Sequence, residues 1–448
     1  MKKYIITGGI PLKGEVVVSG KKNSALKLIA ATLLTSDSVI ISNVPEVSDI
    51  SKMIEILEFI GVAVCRLGNG EYKFKAERID RTDIPKKLAR KLAGAKVLIG
   101  PLLSRMGRVT YPEYSGGCRI GKTRPMNRHF AAFDKLGAKV SCRNGEWLVE
   151  GKLTGGELSF KINTVMGTEN AILSSILARG ETVILNAAQE PQVDDLIAML
   201  KKMGATIKRD KKNPRKIIVT GVKKLHGAEH RVAFDEIEAG TLAVAAAVTE
   251  GDVVIKSVSA GILEPFLNKL SEVGVDVEIS DSNIRVWCKN KKRLNPIRLE
   301  TAPYPNFLTD WHPPFSVLLT KAHGISYIHE TIWVNRLAYT CYLNRMGAKI
   351  ERIKPSEANF RVLVSDDDYD LRKEGEPKTV AKITGPTPLK GAQLKVTDLR
   401  AGATLVIAAL AAKGVSKVYG AEYVERGYEG FDEKLRRLGA RIEVENSN

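Results

Sequence analysis

The sequence is poor in cysteine, in aromatic residues and in long apolar runs. Its 448 residues include five widely spaced cysteines, which argues against a disulfide scaffold and a zinc knuckle and predicts a reducing, cytoplasmic environment. The longest apolar run, 401–412, is shorter than the ~18–20 residues of a membrane-spanning helix. Gly8, Gly9 and Pro11 interrupt the N-terminal apolar run before a signal-peptide core forms. The sequence therefore predicts no membrane partner.

Acidic residues are also few relative to basic ones. Lys and Arg number 69 against 51 Asp and Glu, which gives a formal net charge of +18. Such a charge indicates an anionic partner, which can be nucleic acid, a membrane surface or small phosphates. The apolar (44%) and charged (27%) fractions are those of a globular protein with two to four domains.

Two basic runs, 207–216 and 289–293, suggest nucleic-acid binding as an alternative class of function. Both runs lie beside predicted strands, where solvated turns are expected, and neither contains the interleaved aromatic residues that stack on bases. We therefore interpret them as exposed loops and predict no nucleic-acid partner. The six histidines show no metal-ligand spacing, so no metal is predicted.

One short pattern recurs six times: Leu, two variable residues, an apolar residue, Gly, Ala or Val, a variable residue, then Val or Ile. One copy has Phe133 in place of Leu. The glycines of the six copies are Gly61, Gly137, Gly204, Gly274, Gly347 and Gly439. This pattern is typical of the last turn of a helix, a glycine in the left-handed conformation, and a following strand.

A second pattern consists of an Ala-rich apolar helix followed by Gly and a β-branched strand. It occurs at 23–45, 168–191, 239–258 and 400–420, and its composition predicts helices that are buried on most sides. The two patterns together predict six α/β units of roughly 70 residues, arranged as two domains of three units with helices inside and sheets outside. The segment 352–378 reads as an inserted solvated hairpin or loop.

Basic residues lie at the N-terminal ends of five predicted helices, where the helix dipole disfavours a cation by ~0.3–1 kcal/mol. They are Lys22, Arg124, Arg336, Arg400 and Arg426. Any one of them could simply extend into water. Recurrence at equivalent positions of a repeated unit instead favours a binding site for a small, highly charged anion.

Two further residues are candidates for chemistry. Asp310 lies just ahead of a predicted helix, where it is either a structural N-cap or a general base for a hydroxyl. Cys118 lies in the glycine-rich segment 114–125, near Arg119 and Lys122, which would favour its thiolate form. A buried, inert thiol is the alternative for Cys118.

The segment 116–123 also matches the P-loop pattern of phosphate-binding proteins. A P-loop follows a buried apolar strand, whereas the preceding segment is polar and contains Pro112. The helix after a P-loop begins at once, but Pro125 interrupts it. We therefore interpret the match as coincidental.

Motifs along nearly the whole chain resemble those of the UDP-N-acetylglucosamine 1-carboxyvinyltransferase family of enolpyruvyl transferases. They are Lys22-Asn23, GPLLSRMG (100–107), GGC-x-IG (116–121), Arg124-Pro125, NAAQEPQVDD (186–195), FDEIEAGT (234–241), TAPYP-x-F-x-TD (301–310), ETIWVNR (330–336), TDLRAGA (397–403) and ERGYEGFDEKLRRLGA (425–440). The related 5-enolpyruvylshikimate-3-phosphate synthase fits less well, because its Asn-Ala-Gly-Thr-Ala-Met-Arg signature is absent.

The resemblance implies an α/β (α+β) fold of two inside-out α/β domains, each of three repeated units with buried parallel helices and outer sheets. One domain would comprise 20–230 with the Cys loop, and the other 1–19 plus 231–448. The active site would lie in the interdomain cleft. A cytoplasmic monomer or weak homo-oligomer would follow.

The resemblance also implies an activity: transfer of the enolpyruvyl group of phosphoenolpyruvate to the 3-hydroxyl of UDP-N-acetylglucosamine, with release of phosphate. This step opens peptidoglycan synthesis, needs no cofactor and is blocked covalently by fosfomycin. Asp310 would deprotonate the hydroxyl, and Cys118 would protonate the methylene carbon. The implied catalytic residues are Cys118, Asp310, Lys22, Arg400 and Arg426. The implied substrate-binding residues are Lys22, Asn23, Arg124, Pro125, Asn127, His129, Lys161, Thr164, Val165, Glu190, Asp235, Asp310, Ile332, Arg336, Asp398, Arg400 and Arg426.

Departures from the family pattern gather on the nucleotide side. Ala93 stands where the family has Arg, Asn127 where it has Asp, Met166 where it has Gly, and Val334 where it has Glu. The Cys loop also has one extra residue. UDP-N-acetylglucosamine is therefore the leading acceptor, and a divergent enolpyruvyl transferase acting on another nucleotide or nucleotide sugar is the alternative.

Overall fold

A computed structural model describes residues 2–113, 126–288, 293–366 and 369–446. The chain divides into two compact units. We call residues 20–113 and 126–233 the N-unit, and residues 2–19 and 234–446 the C-unit. Each unit has its own large apolar core.

Fourteen α-helices lie within the described residues. They are α1 (Lys22–Ala31), α2 (Ser48–Phe59), α3 (Lys86–Ala89), α4 (Ile99–Met106), α5 (Asn127–Lys135), α6 (Val165–Ser175), α7 (Pro191–Lys202), α8 (Glu236–Val248), α9 (Ala260–Val273), α10 (His312–Leu319), α11 (Thr340–Arg345), α12 (Leu371–Glu374), α13 (Leu399–Ala411) and α14 (Phe431–Arg437). Short 3-10 turns occur at Thr32–Leu34, Ala93–Leu98, Arg336–Tyr339, Ser356–Ala358 and Ala421–Tyr423.

The same part of the chain contains twenty-three strands. They are β1 (Lys2–Thr7), β2 (Lys13–Val17), β3 (Ser38–Ser42), β4 (Ala63–Gly68), β5 (Glu71–Lys75), β6 (Arg108–Pro112), β7 (Lys139–Arg143), β8 (Glu146–Glu150), β9 (Glu157–Ser159), β10 (Glu181–Leu185), β11 (Thr206–Arg209), β12 (Ile217–Thr220), β13 (Glu229–Arg231), β14 (Asp252–Lys256), β15 (Asp276–Ser280), β16 (Asn283–Trp287), β17 (Arg298–Glu300), β18 (Gly324–His329), β19 (Lys349–Ile353), β20 (Val380–Gly385), β21 (Gln393–Lys395), β22 (Val415–Tyr419) and β23 (Arg441–Asn446).

The described strands form three sheets in each unit. Those of the N-unit are ordered β13-β3-β5-β4, β11-β12-β10-β9 and β6-β8-β7, and those of the C-unit β15-β16-β14-β2, β17-β18-β20-β19 and β21-β22-β1-β23. Each four-stranded sheet has one parallel pair at an edge and two antiparallel pairs. Strand β1 ties the N-terminal residues to the C-unit, since Tyr4 lies opposite Val418 and Val444.

The six repeat glycines have the conformation that the sequence predicts. Each follows the end of a helix and precedes a strand, and their φ angles lie between +91° and +104°. A residue with a Cβ is strained in this region, whereas glycine adopts it freely. The predicted six-fold repeat of helix, glycine and strand is confirmed.

Three buried helices occupy the interior of each unit: α1, α4 and α6 in the N-unit, and α8, α10 and α13 in the C-unit. Every residue of α8 and α10 is buried, and α8, α10 and α13 contact one another. The Ala-rich pattern identified four of these six helices. The pattern did not identify α4 and α10, whose close packing does not depend on alanine. In α4 a Cβ added at Gly100 would lie 2.8 Å from Oδ1 of Asn170 on α6.

The inserted segment 352–378 begins with the last two residues of β19, its other described residues form only a 3-10 turn and the short helix α12, and most of it is exposed. Ile353 and Ala358 form a small apolar cluster with Val380, separate from the main core. The segment is therefore a loop that this small apolar cluster attaches to β20.

Replacing Gly274 by alanine should lower the free energy of unfolding by about 1–2 kcal/mol, the usual cost of the left-handed conformation for a residue with a Cβ. Its φ is +99° and the nearest atom to an added Cβ is 3.7 Å away, so strain rather than a clash causes the loss. Gly261, in the first turn of the same helix α9, is the matched control. An added Cβ there meets nothing within 4 Å, and alanine should stabilise the helix by up to about 1 kcal/mol. Urea titrations followed by circular dichroism measure both changes, and equal destabilisation by the two variants would contradict this explanation.

Candidate active site

Two buried arginines of the C-unit share one carboxylate. Arg400 lies in the first turn of α13 and Arg336 opens the 3-10 turn ahead of α11, and each is only 5% exposed. Nη2 of Arg400 lies 3.5 Å from Oδ2 of Asp310, and Arg336 forms an ion pair with Oδ1 of the same carboxylate. The structure thus brings together three of the predicted site residues that lie far apart in the sequence.

Asp310 does not act as a helix cap. The N-cap residue of α10 is Trp311, and its side chain makes no capping hydrogen bond. The Asp310 side chain extends to the two arginines instead and keeps 31% of its surface exposed. Of the two interpretations that the sequence allowed, the structural N-cap is therefore wrong.

Acidic caps offset the cost of placing cations at the helix ends. Asp398 caps α13 and Asp235 caps α8, each by accepting hydrogen bonds from two amides of the first turn, at 2.8–3.1 Å. Nη1 of Arg336 lies 4.0 Å from Oδ1 of Asp398. These carboxylates compensate part of the positive charge of the helix ends and of the arginines.

Both arginines keep their charge despite burial. Burial acts to lower the pKa of Arg400, but Tyr428 and Asp310 raise this pKa above its usual range. For Arg336, the charges of Asp310 and Asp398 likewise outweigh burial and raise the pKa. The guanidinium of Arg400 lies over the ring of Tyr428, 5.1 Å from its centroid. The hydroxyl of Tyr428 is held 3.0 Å from that of Thr241.

The arginine pair has donors that no described residue uses. Nη1 of Arg400 and Nε of Arg336 are buried and have no hydrogen-bond partner among the described residues. A buried donor without an acceptor is costly, and charged donors of this kind favour an anionic ligand. Arg426 is half-buried and precedes α14, outside its first turn.

In the N-unit, Lys22 is the first residue of α1 and Asn23 follows it. Nζ of Lys22 lies 3.1 Å from Oδ2 of the buried Asp49. One turn further along α1, Nζ of the buried Lys27 lies 3.5 Å from Oε2 of the buried Glu169. Burial lowers the pKa of Lys27 and raises that of Glu169, and the two groups together add little net charge at this helix end.

Most other predicted residues of the N-unit lie at helix N-termini. Thr164 caps α6, its hydroxyl accepting from the amide of Gly167 at 3.3 Å, and Val165 is the first residue of that helix. Glu190 is the N-cap residue of α7, and Asn127 begins α5 at an exposed position. Helix N-termini offer backbone amides to anions, as a diphosphate requires.

Two predicted residues of the N-unit differ from this arrangement. Lys161 is exposed in the segment ahead of α6. His129 is buried, with Nδ1 3.1 Å from the side-chain amide nitrogen of Asn170. Burial, assisted by nearby Lys96 and Arg128, lowers the pKa of His129 to about 3, so its ring is neutral. Its role in substrate binding stays a prediction.

Cys118, Arg124 and Pro125 lie outside the described residues, as does the segment that matches the P-loop pattern. Their assigned roles stay predictions. Among the described helices, none combines the length and apolar character needed to cross a membrane.

Sequence reasoning missed several side chains that lie beside predicted site residues within each unit. Tyr428 supports Arg400, Asp49 pairs with Lys22, and Glu330 lies buried beside His312 near Arg336. Tyr428 and Glu330 both lie inside motifs that carried the family resemblance, which is the signal that could have identified them.

The fold is that of the enolpyruvyl transferases. The enolpyruvyl transferase NikO from Streptomyces tendae superimposes with a TM-score of 0.84 at 24% sequence identity, covering 100% of this chain and 99% of that chain. EPSP synthase from Acinetobacter baumannii gives a TM-score of 0.75 at 18% identity, with 100% of both chains covered. This similarity confirms the predicted fold class.

Sequence comparison identifies the family. The family model described as EPSP synthase (3-phosphoshikimate 1-carboxyvinyltransferase) matches residues 6–435. The chain is 39% identical over 446 residues to UDP-N-acetylglucosamine 1-carboxyvinyltransferase 2 of Carboxydothermus hydrogenoformans, with 99% of each covered. It is 40% identical over 445 residues to UDP-N-acetylglucosamine 1-carboxyvinyltransferase 1 of Caldanaerobacter subterraneus subsp. tengcongensis, with 98% of this chain and 99% of the relative covered. The chain belongs to the EPSP synthase family of enolpyruvyl transferases.

Proposed function

We propose that this protein transfers the enolpyruvyl group of phosphoenolpyruvate to the 3-hydroxyl of UDP-N-acetylglucosamine and releases phosphate. Relatives named for this reaction align with nearly the whole chain. The observation that carries the proposal is the pair of charged, buried arginines that hold Asp310 and retain unused donors. Such a site provides both an anion clamp and a base.

Phosphoenolpyruvate carries a phosphate and a carboxylate, and guanidinium groups bind both through paired hydrogen bonds. We assign these anionic groups to Arg336 and Arg400, together with Arg426, Arg124 and Lys22. Charge–charge attraction at buried positions is several-fold stronger than in water, so these residues both bind the substrate and stabilise the departing phosphate.

Asp310 is the proposed base. An incoming anion competes with Asp310 for the two guanidiniums and thereby frees a carboxylate oxygen. Asp310 then takes the proton of the 3-hydroxyl while the hydroxyl oxygen of the acceptor attacks C2 of phosphoenolpyruvate. Cys118 donates a proton to C3, which gives a tetrahedral ketal phosphate. Loss of a proton from C3 and of phosphate from C2 restores the double bond in the product.

The N-unit supplies the proposed acceptor contacts. The helix N-terminus at Thr164 and Val165, with Lys161 ahead of it, suits a diphosphate. Asn23 and Glu190 are assigned to the sugar. We further propose that the reaction is the first step of peptidoglycan synthesis, takes place in the cytoplasm and needs no cofactor.

Another nucleotide or nucleotide sugar is the alternative acceptor. The substitutions that favour it are Ala93, Asn127, Met166 and Val334. Met166 lies in the first turn of α6, next to the proposed diphosphate contact, and Asn127 is exposed at the start of α5. Substitutions at these two positions would change nucleotide contacts and leave Arg336 and Arg400 as they are.

Phosphate release measures the function directly. The purified protein with phosphoenolpyruvate and UDP-N-acetylglucosamine should release phosphate and form the enolpyruvyl ether, detected by mass spectrometry. A panel of other nucleotide sugars should give at least tenfold lower kcat/KM, the discrimination expected when buried polar groups lose their partners. Release with a different acceptor only would select the alternative.

Fosfomycin provides the specificity control for that assay. Preincubation with fosfomycin and acceptor should abolish phosphate release and leave one covalent adduct on the peptide that contains Cys118. Inhibition without an adduct on Cys118 would contradict the role assigned to this thiol.

A further inference from the structure

Glu330 is a buried carboxylate next to the arginine pair, and its exposure is only 1%. Its Oε1 accepts hydrogen bonds from the amides of Ile332 and Trp333 at 2.7 and 3.0 Å. Its Oε2 accepts from the hydroxyl of Thr309 at 2.8 Å and lies 2.9 Å from Nε2 of His312. Four groups therefore converge on one side chain.

The pair of Glu330 and His312 consists of a carboxylate and a neutral ring. Burial acts to raise the pKa of Glu330, but the adjacent His312 ring and the charge of Arg336 hold this pKa below its usual range. Burial lowers the pKa of His312. Nδ1 of His312 lies 3.2 Å from the hydroxyl of Tyr339. The tautomer with its proton on Nε2 places that proton on the side of Glu330 and leaves Nδ1 to accept from the hydroxyl of Tyr339.

The partners of Glu330 lie on two different segments. Thr309 immediately precedes Asp310, and His312 begins α10. Ile332 and Trp333 belong to the segment that leads to Arg336. One carboxylate therefore joins the segment that carries the proposed base to the segment that carries one of its arginines.

We propose that Glu330 is a positioning residue that fixes Asp310 and Arg336 relative to each other. This inference rests on the proposed function. A displacement of about 1 Å in a reacting group can cost about 10²-fold in rate. The hydrogen bonds of Glu330 go to Thr309, Ile332 and Trp333, so it acts through the segments on either side.

A second histidine–glutamate pair in the C-unit serves as a matched control. Nδ1 of His329 lies 2.8 Å from Oε2 of Glu300, and the side chain of His329 is fully buried. Glu300 lies on β17 and His329 on β18, and the hydrogen bonds of this pair do not include Thr309 or the amides of 332 and 333. The side chain of Glu300 is 40% exposed, so loss of this pair tests what a histidine–glutamate contact at the edge of the core contributes to folding alone.

Steady-state kinetics of four variants test the proposal. Glu330→Gln should lower kcat/KM for phosphoenolpyruvate by about 10- to 100-fold, whereas Glu300→Gln should change it less than about twofold. Thr309→Val, which removes one hydroxyl donor to Glu330 at nearly constant volume, should lower kcat more than it raises KM. Thr309→Ser keeps the hydroxyl and should restore kcat. Equal effects of Val and Ser, or of Glu330→Gln and Glu300→Gln, would overturn the proposal.

Two further measurements keep the result interpretable. Thermal unfolding shows whether Glu330→Gln folds, and if it does not, the comparison of Thr309→Val with Thr309→Ser decides. Titration with phosphoenolpyruvate, followed by the fluorescence of Trp311 and Trp333, reports binding without turnover. If wild-type protein binds phosphoenolpyruvate but releases no phosphate, only the proposed function is contradicted. In that case Glu330→Gln should still bind phosphoenolpyruvate about tenfold more weakly than Glu300→Gln does. Equal binding by these two variants would overturn the positioning role.

Discussion

Asp310→Asn is expected to lower kcat for phosphate release by about 10²- to 10⁴-fold, the usual contribution of a general base. The amide has the shape of the carboxylate but cannot take the proton of the acceptor hydroxyl. KM for phosphoenolpyruvate should not rise, because the substitution removes an anion that competes for Arg336 and Arg400. Steady-state phosphate release at saturating acceptor measures both constants.

Asp252→Asn is the control for this variant. Asp252 also forms an ion pair with an arginine, Arg285, but on the surface of β14 and β16, where both side chains are more than 40% exposed. Its loss should leave kcat unchanged. If Asp310→Asn kept wild-type kcat, Asp310 would be a structural partner of the arginines and another group would be the base.

Arg400→Lys is expected to lower kcat/KM for phosphoenolpyruvate by about 10²- to 10³-fold, a loss typical of removing one charged donor from a transition-state site. Lysine keeps the positive charge but lacks the planar guanidinium group. It therefore cannot pair with Asp310 and donate a second hydrogen bond to the ligand at the same time. It also loses the stacking on Tyr428. The same phosphate-release assay with varied phosphoenolpyruvate measures the loss.

Arg285→Lys is the matched control for this second variant, because Arg285 pairs with Asp252 and stacks on Trp287 at the surface. Exposed pairs contribute little, so kcat/KM should stay within about twofold. A fall in kcat/KM no larger for Arg400→Lys than for Arg285→Lys would show that a positive charge alone suffices at this position.

The local signals in this sequence predicted local structure well. The repeat glycines, such as Gly274, end their helices as expected, because the left-handed conformation depends on a single residue and its near neighbours. Arg400 lies in the first turn of α13, behind the cap Asp398, which confirms its predicted place at a helix N-terminus. Helices α4 and α10 were not identified as buried, because glycine and proline there replace the alanine that marks the other interior helices.

Among the site residues, the sequence singled out the basic ones but not all of their neighbours. The cations stood out because a helix N-terminus disfavours them. Glu330 and Tyr428 were missed, because a glutamate or a tyrosine in a motif does not show by itself that it is buried or which side chain it contacts.

The sequence by itself determined the six-fold repeat, the excess of positive charge and the family, because each of these depends on residue type and spacing along the chain. Only the tertiary structure decided which charged groups pair with Asp310. Locally it has the position of a helix cap, yet its carboxylate pairs with Arg336 and Arg400. Those arginines lie on other segments of the C-unit, and only folding brings them to the end of the loop that carries Asp310. The two arginine donors that no described residue accepts likewise become visible only once the packing around them is known.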